Sequence, residues 1–356
     1  RRGAVIDYAH TCDVAIAIEG DELDTKPWLL PCANGVINLQ SGELEPGRHE
    51  DYLLTACPVM WAGIEAPCPT WEAALLDMMD DDPEMVAFLQ RLFGYSLVGE
   101  VVHHIFVCLI GKGRNGKGTI KETLIDLLGP VAAAVNPELW LDNGFLRSSS
   151  GPSPDIMSLK GKRIIFSSET DENCKLSLAA VKRMTGGDTL RGRNPNDKYE
   201  QQFKPSHTPF LLTNNRPHAS ADDFAFWERT YLINFPFSYV NRPPRDDTER
   251  AADPMLPHKL REEFPGILAW MVRGCLMWQE VGLAPPLKVV EAVTEYRRNE
   301  DTIADFAAEC LVHSEWAWVT GRQLYTVFEA WWIKNINNFP WKEKRFGTQM
   351  SRRYEK

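Results

Sequence analysis

No two cysteines of this chain stand in a C-x-x-C pair; the eight lie at positions 12, 32, 57, 68, 108, 174, 275 and 310. That spacing argues against a zinc site and reads as free thiols in a reducing cytoplasm. No apolar run approaches the length of a membrane span, so no membrane partner is expected. The N-terminus, Arg1-Arg2-Gly3, has neither an initiator Met nor the apolar stretch of a signal peptide; it is expected to be a cut in a longer protein. A surplus of positive charge is missing as well. The formal net charge of −10 argues against a generally basic nucleic-acid coat, though binding depends on where charges sit and a local basic channel stays open. Internal repeats and low-complexity tracts are also absent. What remains is a soluble globular composition, 44% hydrophobic and 25% charged over 356 residues, enough for two or three domains.

Local pattern divides the chain at about residues 100 and 240. Residues 31–60 read as short strands with a hairpin signal at Asn34-Gly35. Residues 70–94 read as two helices, the second capped by Asp82, opened by Pro83 and stopped by Gly94. Together they suggest an α+β module over 1–100. Between His104 and Phe237, apolar strands at 105–110, 164–168, 210–213 and 231–235 alternate with loops and helices, the layout of an α/β nucleotide-binding core over 101–240. Residues 241–257, rich in Pro and Asp, look like a linker. Helical patterns follow at 258–280, 286–298, 302–311 and 321–334, then a basic segment from Lys342 to Lys356, within a C-terminal region 241–356.

The strongest motif is Gly111-Lys112-Gly113-Arg114-Asn115-Gly116-Lys117-Gly118-Thr119, a GxxxxGK loop between a strand and a helix. Glycines let backbone N–H groups curl around a phosphate, and the helix N-terminus adds a positive dipole end. Lys117 would reach the β and γ phosphates of ATP. An ordinary Gly-rich turn before a helix is the plain alternative. The hydroxyl that usually follows the lysine is replaced by Gly118 and comes one place later, at Thr119.

Hydrolysis also needs a carboxylate at the end of a neighbouring strand. The run 164–169 ends in Glu169, with Ser168 where a first acid often stands. Glu169 is the candidate base and, with Thr119, the candidate Mg2+ ligand. A further strand ends at Asn214, placed to hold the attacking water, although Asn is also a common strand-end turn residue. Arg229, just before the next strand, is a candidate arginine finger or a plain surface arginine. Between the acid and Asn214, a hairpin with the turn Asn194-Pro195-Asn196-Asp197 carries cations. Arg191 and Arg193 share a face by period two and Lys198 follows the tip. With Lys182 upstream, they are the candidate DNA contacts, against a hairpin charged only for solubility.

In order, GKGRNGKGT, GKRIIFSSE, KRMTGGDTLRGR, LLTNNRP and FWERTYLINFPF resemble superfamily 3 helicases, and within these the phage and plasmid primase–helicases related to the poxvirus primase–helicase. Upstream, NGVINLQSGEL, CPTWEAALLDMM and LFGYSLVGE resemble the helical module that precedes the motor. Downstream, VTEYRRNEDTIADFAAEC, QLYTVFEAWW and RFGTQMSRR resemble its winged-helix region more loosely. The resemblance implies a P-loop AAA+-like ATPase core with a mostly helical N-terminal module and a winged-helix-like C-terminal region. By likeness, Lys117 is the phosphate-binding lysine, Glu169 the Walker B acid, Asn214 the polar sensor and Arg229 the finger of the neighbouring subunit. The segment 182–203 corresponds to the DNA-contacting hairpin. The family picture is a hexameric ring on single-stranded and forked DNA, moving 3′ to 5′ in a phage, prophage or plasmid replicon. It adds a primase domain upstream and the cytoplasm of a bacterial or archaeal host.

Two other readings compete. A nucleotide kinase also carries GKGT, and phosphoryl transfer to a nucleoside monophosphate would identify it. An ATP-binding origin-recognition protein without helicase activity would lack turnover stimulated by single-stranded DNA.

Overall fold

The structure is a computed structural model that describes residues 23–142, 151–168, 174–312, 314, 316–336 and 338–354. It opens with a three-stranded antiparallel sheet of β1 (Leu29–Cys32), β2 (Gly35–Asn38) and β3 (Glu43–Glu45). Two helices follow, α1 (Pro69–Met78) and α2 (Pro83–Tyr95). Asp82 caps α2 as expected, its carboxylate accepting from the Glu84 and Met85 amides.

The centre is a five-stranded, wholly parallel sheet. Its strands are β4 (Phe106–Ile110), β5 (Ala132–Val135), β6 (Ile164–Ser168), β9 (Thr208–Thr213) and β10 (Thr230–Asn234), in the order β10-β4-β9-β6-β5. β4 and β9 are buried at every position, which is why β4 and the Phe210–Leu212 centre of β9 read as apolar runs. The mixed α/β class is therefore as the sequence implies. Between these strands lie α3 (Lys117–Leu128), α4 (Pro154–Met157), α5 (Leu178–Thr185) and the antiparallel hairpin β7 (Leu190–Gly192) and β8 (Gln201–Phe203). Helix α6 (Phe224–Trp227) precedes β10.

Two expectations need correction. Gly94 does not stop α2, which runs on to Tyr95. It lies where α2 meets α8 (Phe264–Val281). A Cβ on Gly94 would sit 2.1 Å from the Cys275 nitrogen, and one on Gly274 2.0 Å from the Gln90 carbonyl oxygen. Both glycines are needed for backbones to approach this closely. Nor is 241–257 a plain linker. It holds β12 (Glu249–Ala251), paired in parallel with β11 (Ser238–Val240), and leads into α7 (Leu256–Glu262).

Chain contacts divide the molecule into two compact units, Arg1–Ala219 with Phe224–Thr294, and Ser220–Asp223 with Glu295–Lys356. In the first, one apolar core joins Leu30, Trp71, Phe88, Leu109, Phe166, Phe210 and Trp270, so segments on both sides of residues 100 and 240 share it. Helix α9 (Leu287–Asn299) continues into the second unit. There α10 (Thr302–Cys310), α11 (Gly321–Asn335) and α12 (Glu343–Arg353) surround Phe306, Phe328, Trp331, Trp332 and Phe346. A capping box between Thr320 and Gln323 starts α11, and Arg353 pairs with Asp301.

His207, between the hairpin and β9, is 3% exposed, and neither ring nitrogen makes a well-aligned hydrogen bond. Burial pushes its pKa down to about 4, offset only in part by the Met184 backbone. In the unfolded chain the imidazole titrates near 6.5, so between there and about 4 the unfolded state binds the extra proton. Stability is then lost as pH falls through that window, by about 3 kcal/mol. In His207→Phe, denaturant melts at pH 6.5 and 4.5 should differ by about 2–3 kcal/mol less than in wild type; an unchanged difference would remove His207 from the acid response.

Candidate functional site

The GxxxxGK loop joins the C-terminal end of β4 to the first turn of α3. Since β4 lies between β9 and β10, the loop opens at the point of a parallel sheet where ligand crevices form. Its backbone explains its glycines. Gly116 adopts φ +88°, and a Cβ there would meet Met78 Sδ at 2.5 Å. A Cβ on Gly111 would meet Asn115 Nδ2 at 2.3 Å and the Phe235 carbonyl oxygen at 2.4 Å. Around Gly113 and Gly118, by contrast, a Cβ meets nothing within 4 Å. Arg114 takes a left-handed φ of +62°.

Lys117 is 5% exposed at the start of α3. Its ammonium donates to the Gly111 carbonyl and to Asn214 Oδ1 at 3.4 Å. Burial pushes its pKa down to about 8. Asn115 is buried and its Nδ2 has no hydrogen-bond partner. Residues 113–119, Lys121, Ser168 and Asn214 line one cavity of about 680 Å3. The structure thus brings the loop, Thr119 and Asn214 together. Gly111 contributes its carbonyl beneath Lys117. Glu169 lies outside the described residues; Ser168, directly before it, ends β6 and accepts from Lys121 Nζ at 3.4 Å.

The far wall was not foreseen from the sequence. Asp77 on α1 lines the cavity with Tyr239 and residues 251–254. Tyr239 donates its amide to the Arg114 carbonyl at 2.7 Å and its hydroxyl to Asp77 Oδ2 at 2.5 Å. Ser238 Oγ donates to the Gly113 carbonyl at 3.3 Å. Arg250 pairs with Asp77 and Asp80 while lying 3.8 Å over the Phe237 ring. The strap β11–β12 therefore fastens the loop to α1. Only the Pro- and Asp-rich composition was visible beforehand, and that signals loop rather than long-range pairing.

Arg229 stands apart from the cavity. It precedes Thr230, which pairs with Phe106 at the N-terminal edge of the sheet, and Nη1 donates to the Lys182 carbonyl at 3.1 Å and to Thr185 Oγ1 at 3.2 Å. Lys182 is half-buried on α5. On the hairpin, Arg191 and Lys198 are exposed. β7 ends at Gly192, and Arg193, just after it, donates from Nη1 to the Asp197 carbonyl at 3.4 Å. The tip adds Tyr199, 81% exposed, an aromatic the charge pattern did not single out.

Comparison with known proteins supports the resemblance. The family described as "D5 N terminal like" matches residues 1–80. The chain is 26% identical over 328 residues to "Putative helicase L207/L206" of Acanthamoeba polyphaga mimivirus, and 22% identical over 389 residues to "Putative helicase 022R" of Frog virus 3. These likenesses support a D5-like superfamily 3 primase–helicase family. The matches cover 88% and 89% of this chain but only 34% and 40% of those two relatives. Among solved structures, the C-terminal region of NrS-1 is similar over 69% of this chain and 58% of its own, at 14% identity and a TM-score of 0.48. Among the described residues of this chain, no helix is long and apolar enough to cross a membrane.

Proposed function

We propose that this chain is the motor of an ATP-driven DNA helicase, built on a P-loop AAA+-like core and working as a homo-hexameric ring on single-stranded DNA. One observation carries the reading: the Lys117 ammonium, on the first turn of α3, lies 3.4 Å from the amide oxygen of Asn214, just past the end of β9, inside the cavity lined by the Gly-rich loop. A triphosphate threaded there would meet loop N–H groups, the α3 dipole and one cation together. In this reading Lys117 binds the β and γ phosphates, and Asn214 orients water. Glu169 accepts the proton of that water, and Arg229 serves the adjacent subunit.

Among the described residues no group of three or more His, Cys, Asp or Glu forms a metal cage. That fits an Mg2+ ion bound mainly through nucleotide phosphates and water. Thr119, which lines the cavity, and Glu169 would complete its shell. The ion would neutralise charge on the phosphates.

The deciding experiment measures ATP hydrolysis by the purified protein with and without single-stranded DNA, beside Lys117→Ala. Turnover stimulated by DNA and lost in the variant is expected. Binding of ATP without turnover would favour an origin-recognition protein, and transfer of phosphate to a nucleoside monophosphate a kinase.

The hairpin is the proposed DNA contact, with Arg191 and Lys198 on phosphates and Tyr199 available for stacking on bases. Losing two phosphate contacts on a single strand should reduce the salt slope of binding by about 1.4. Arg191→Ala with Lys198→Ala should therefore weaken binding to every sequence tested, most at low salt. Equal binding across a salt titration would move the DNA contact elsewhere.

A further inference from the structure

Arg250 and Ser238 do not line the cavity, yet both are tied to the loop that does. They sit on the two strands of the strap, β12 and β11, where Tyr239 pairs in register with Arg250. At one end of the strap, Asp77 of α1 takes both of these neighbours, the Tyr239 hydroxyl on Oδ2 and the Arg250 guanidinium on Oδ1. Arg250 Nη2 also reaches Asp80 Oδ1 at 3.3 Å. At the other end, Ser238 Oγ and the Tyr239 amide donate to the carbonyls of Gly113 and Arg114, two consecutive residues of the loop. All of these residues belong to the first compact unit.

The two bonds to the loop act on the groups that an anion would meet. In a trans peptide the carbonyl and the following N–H point in opposite directions. With the Gly113 and Arg114 carbonyls turned to the strap, the amides of Arg114 and Asn115 point away from it. Left-handed residues in such a loop curl successive amides into a concave nest for phosphate. Here they are Arg114 at φ +62° and Gly116 at φ +88°. Glycine adopts that region freely, but a residue with a side chain resists it. The backbone at Arg114 therefore needs support from its surroundings, and the Tyr239 amide gives it at the Arg114 carbonyl.

We infer that Arg250 is a positioning residue for nucleotide binding: by pinning the strap to Asp77 of α1, it keeps Ser238 and Tyr239 on the loop and the loop in its phosphate-ready backbone. The inference rests on the ATP-binding part of the proposal above. Without the pin, strap and loop shift together and Arg114 relaxes toward negative φ. Nucleotide then has to restore the shape as it binds, and the apparent Kd rises as the competent fraction falls. Once nucleotide is in place the loop is the same as in wild type, so the bound complex turns over as before. The Arg250–Asp77 pair is partly exposed, at 24% and 42% for the two side chains, so its loss should barely alter overall stability.

The test measures binding of the imido analogue of ATP with Mg2+, beside steady-state ATP hydrolysis, on full chains: wild type, Arg250→Met, Arg250→Lys and Ser238→Ala. Arg250→Met and Ser238→Ala should each raise Kd and KM about fivefold, with kcat held within about twofold, as when the competent fraction of the loop falls to about a fifth. Arg250→Lys, which keeps a cation at Asp77, should recover most of the loss. Placing Arg250→Met on an Arg114→Gly background gives the discriminating reading. Glycine takes a positive φ without resistance, so there the effect of Arg250→Met on Kd should shrink below about twofold. Thermal melting checks folding; if Arg250→Met fails to fold, Ser238→Ala carries the test from the other end of the strap. An unchanged Kd in the folded variants, a loss confined to kcat, or an equal loss in both Arg114 backgrounds overturns the inference. A wild type that binds the analogue yet hydrolyses no ATP overturns the ATPase reading and leaves this inference to be decided by Kd. A wild type that does not bind the analogue overturns both.

Discussion

Arg229→Ala and Lys117→Ala proteins, each without measurable turnover alone, should regain part of the wild-type rate when mixed. In the ring proposed above, Arg229 serves the loop of a neighbouring chain rather than its own. It precedes the first residue of β10, whereas the loop leaves β4 at the level of Asn234, and five strand residues rise roughly 16 Å. Nor does Arg229 line the cavity that holds Lys117. A head-to-tail ring brings the arginine of one subunit to the nucleotide of the next. Loss of such a finger costs about 10³–10⁵ in rate. In an equal mixture, about a quarter of such head-to-tail interfaces would pair an intact Lys117 with an intact Arg229, so partial activity is the expected ceiling. Mixtures that stay inactive despite verified co-assembly, or dilute monomers that hydrolyse at the full rate, would show that Arg229 does not act in trans.

Glu169→Gln should bind ATP about as well as wild type yet turn it over at least about 10³-fold more slowly, because the amide holds the shape of the carboxylate but cannot take the proton of the attacking water. β6 ends at Ser168 on the cavity wall, directly before Glu169 in the sequence. Nucleotide retention on a filter, read beside phosphate release, separates binding from chemistry. Wild-type turnover by the variant would pass the role of base to another group.

The parts of this molecule readable in the sequence are those governed by local rules. β4, β6, β9 and β10 announce themselves as apolar runs because both faces of a parallel sheet are covered. The loop is legible because its glycines answer to backbone geometry within a few residues, as at Gly116. Asp82 is legible as a cap for the same reason. What escaped was set by partners far along the chain. Gly94 looks like a helix stop until Cys275 is found against it. Residues 241–257 look like a linker until Arg250 reaches Asp77. The bond from Arg193 to the Asp197 carbonyl across the hairpin turn was likewise not legible.

The discontinuity of the second unit also bears on how such proteins exchange parts. A region that occupied only 295–356 could be traded between relatives through a single joint. Here Ser220–Asp223, some seventy residues earlier, belong to the same body, so a hybrid gene joined at one point would pair a foreign α9 with a native 220–223. Functional chimaeras should therefore require two crossovers, with substitutions at 220–223 inherited together with those around Arg297. Limited proteolysis should show the same bond between distant stretches of chain: a cut near residue 294 should leave the C-terminal fragment associated with the rest until the chain is denatured.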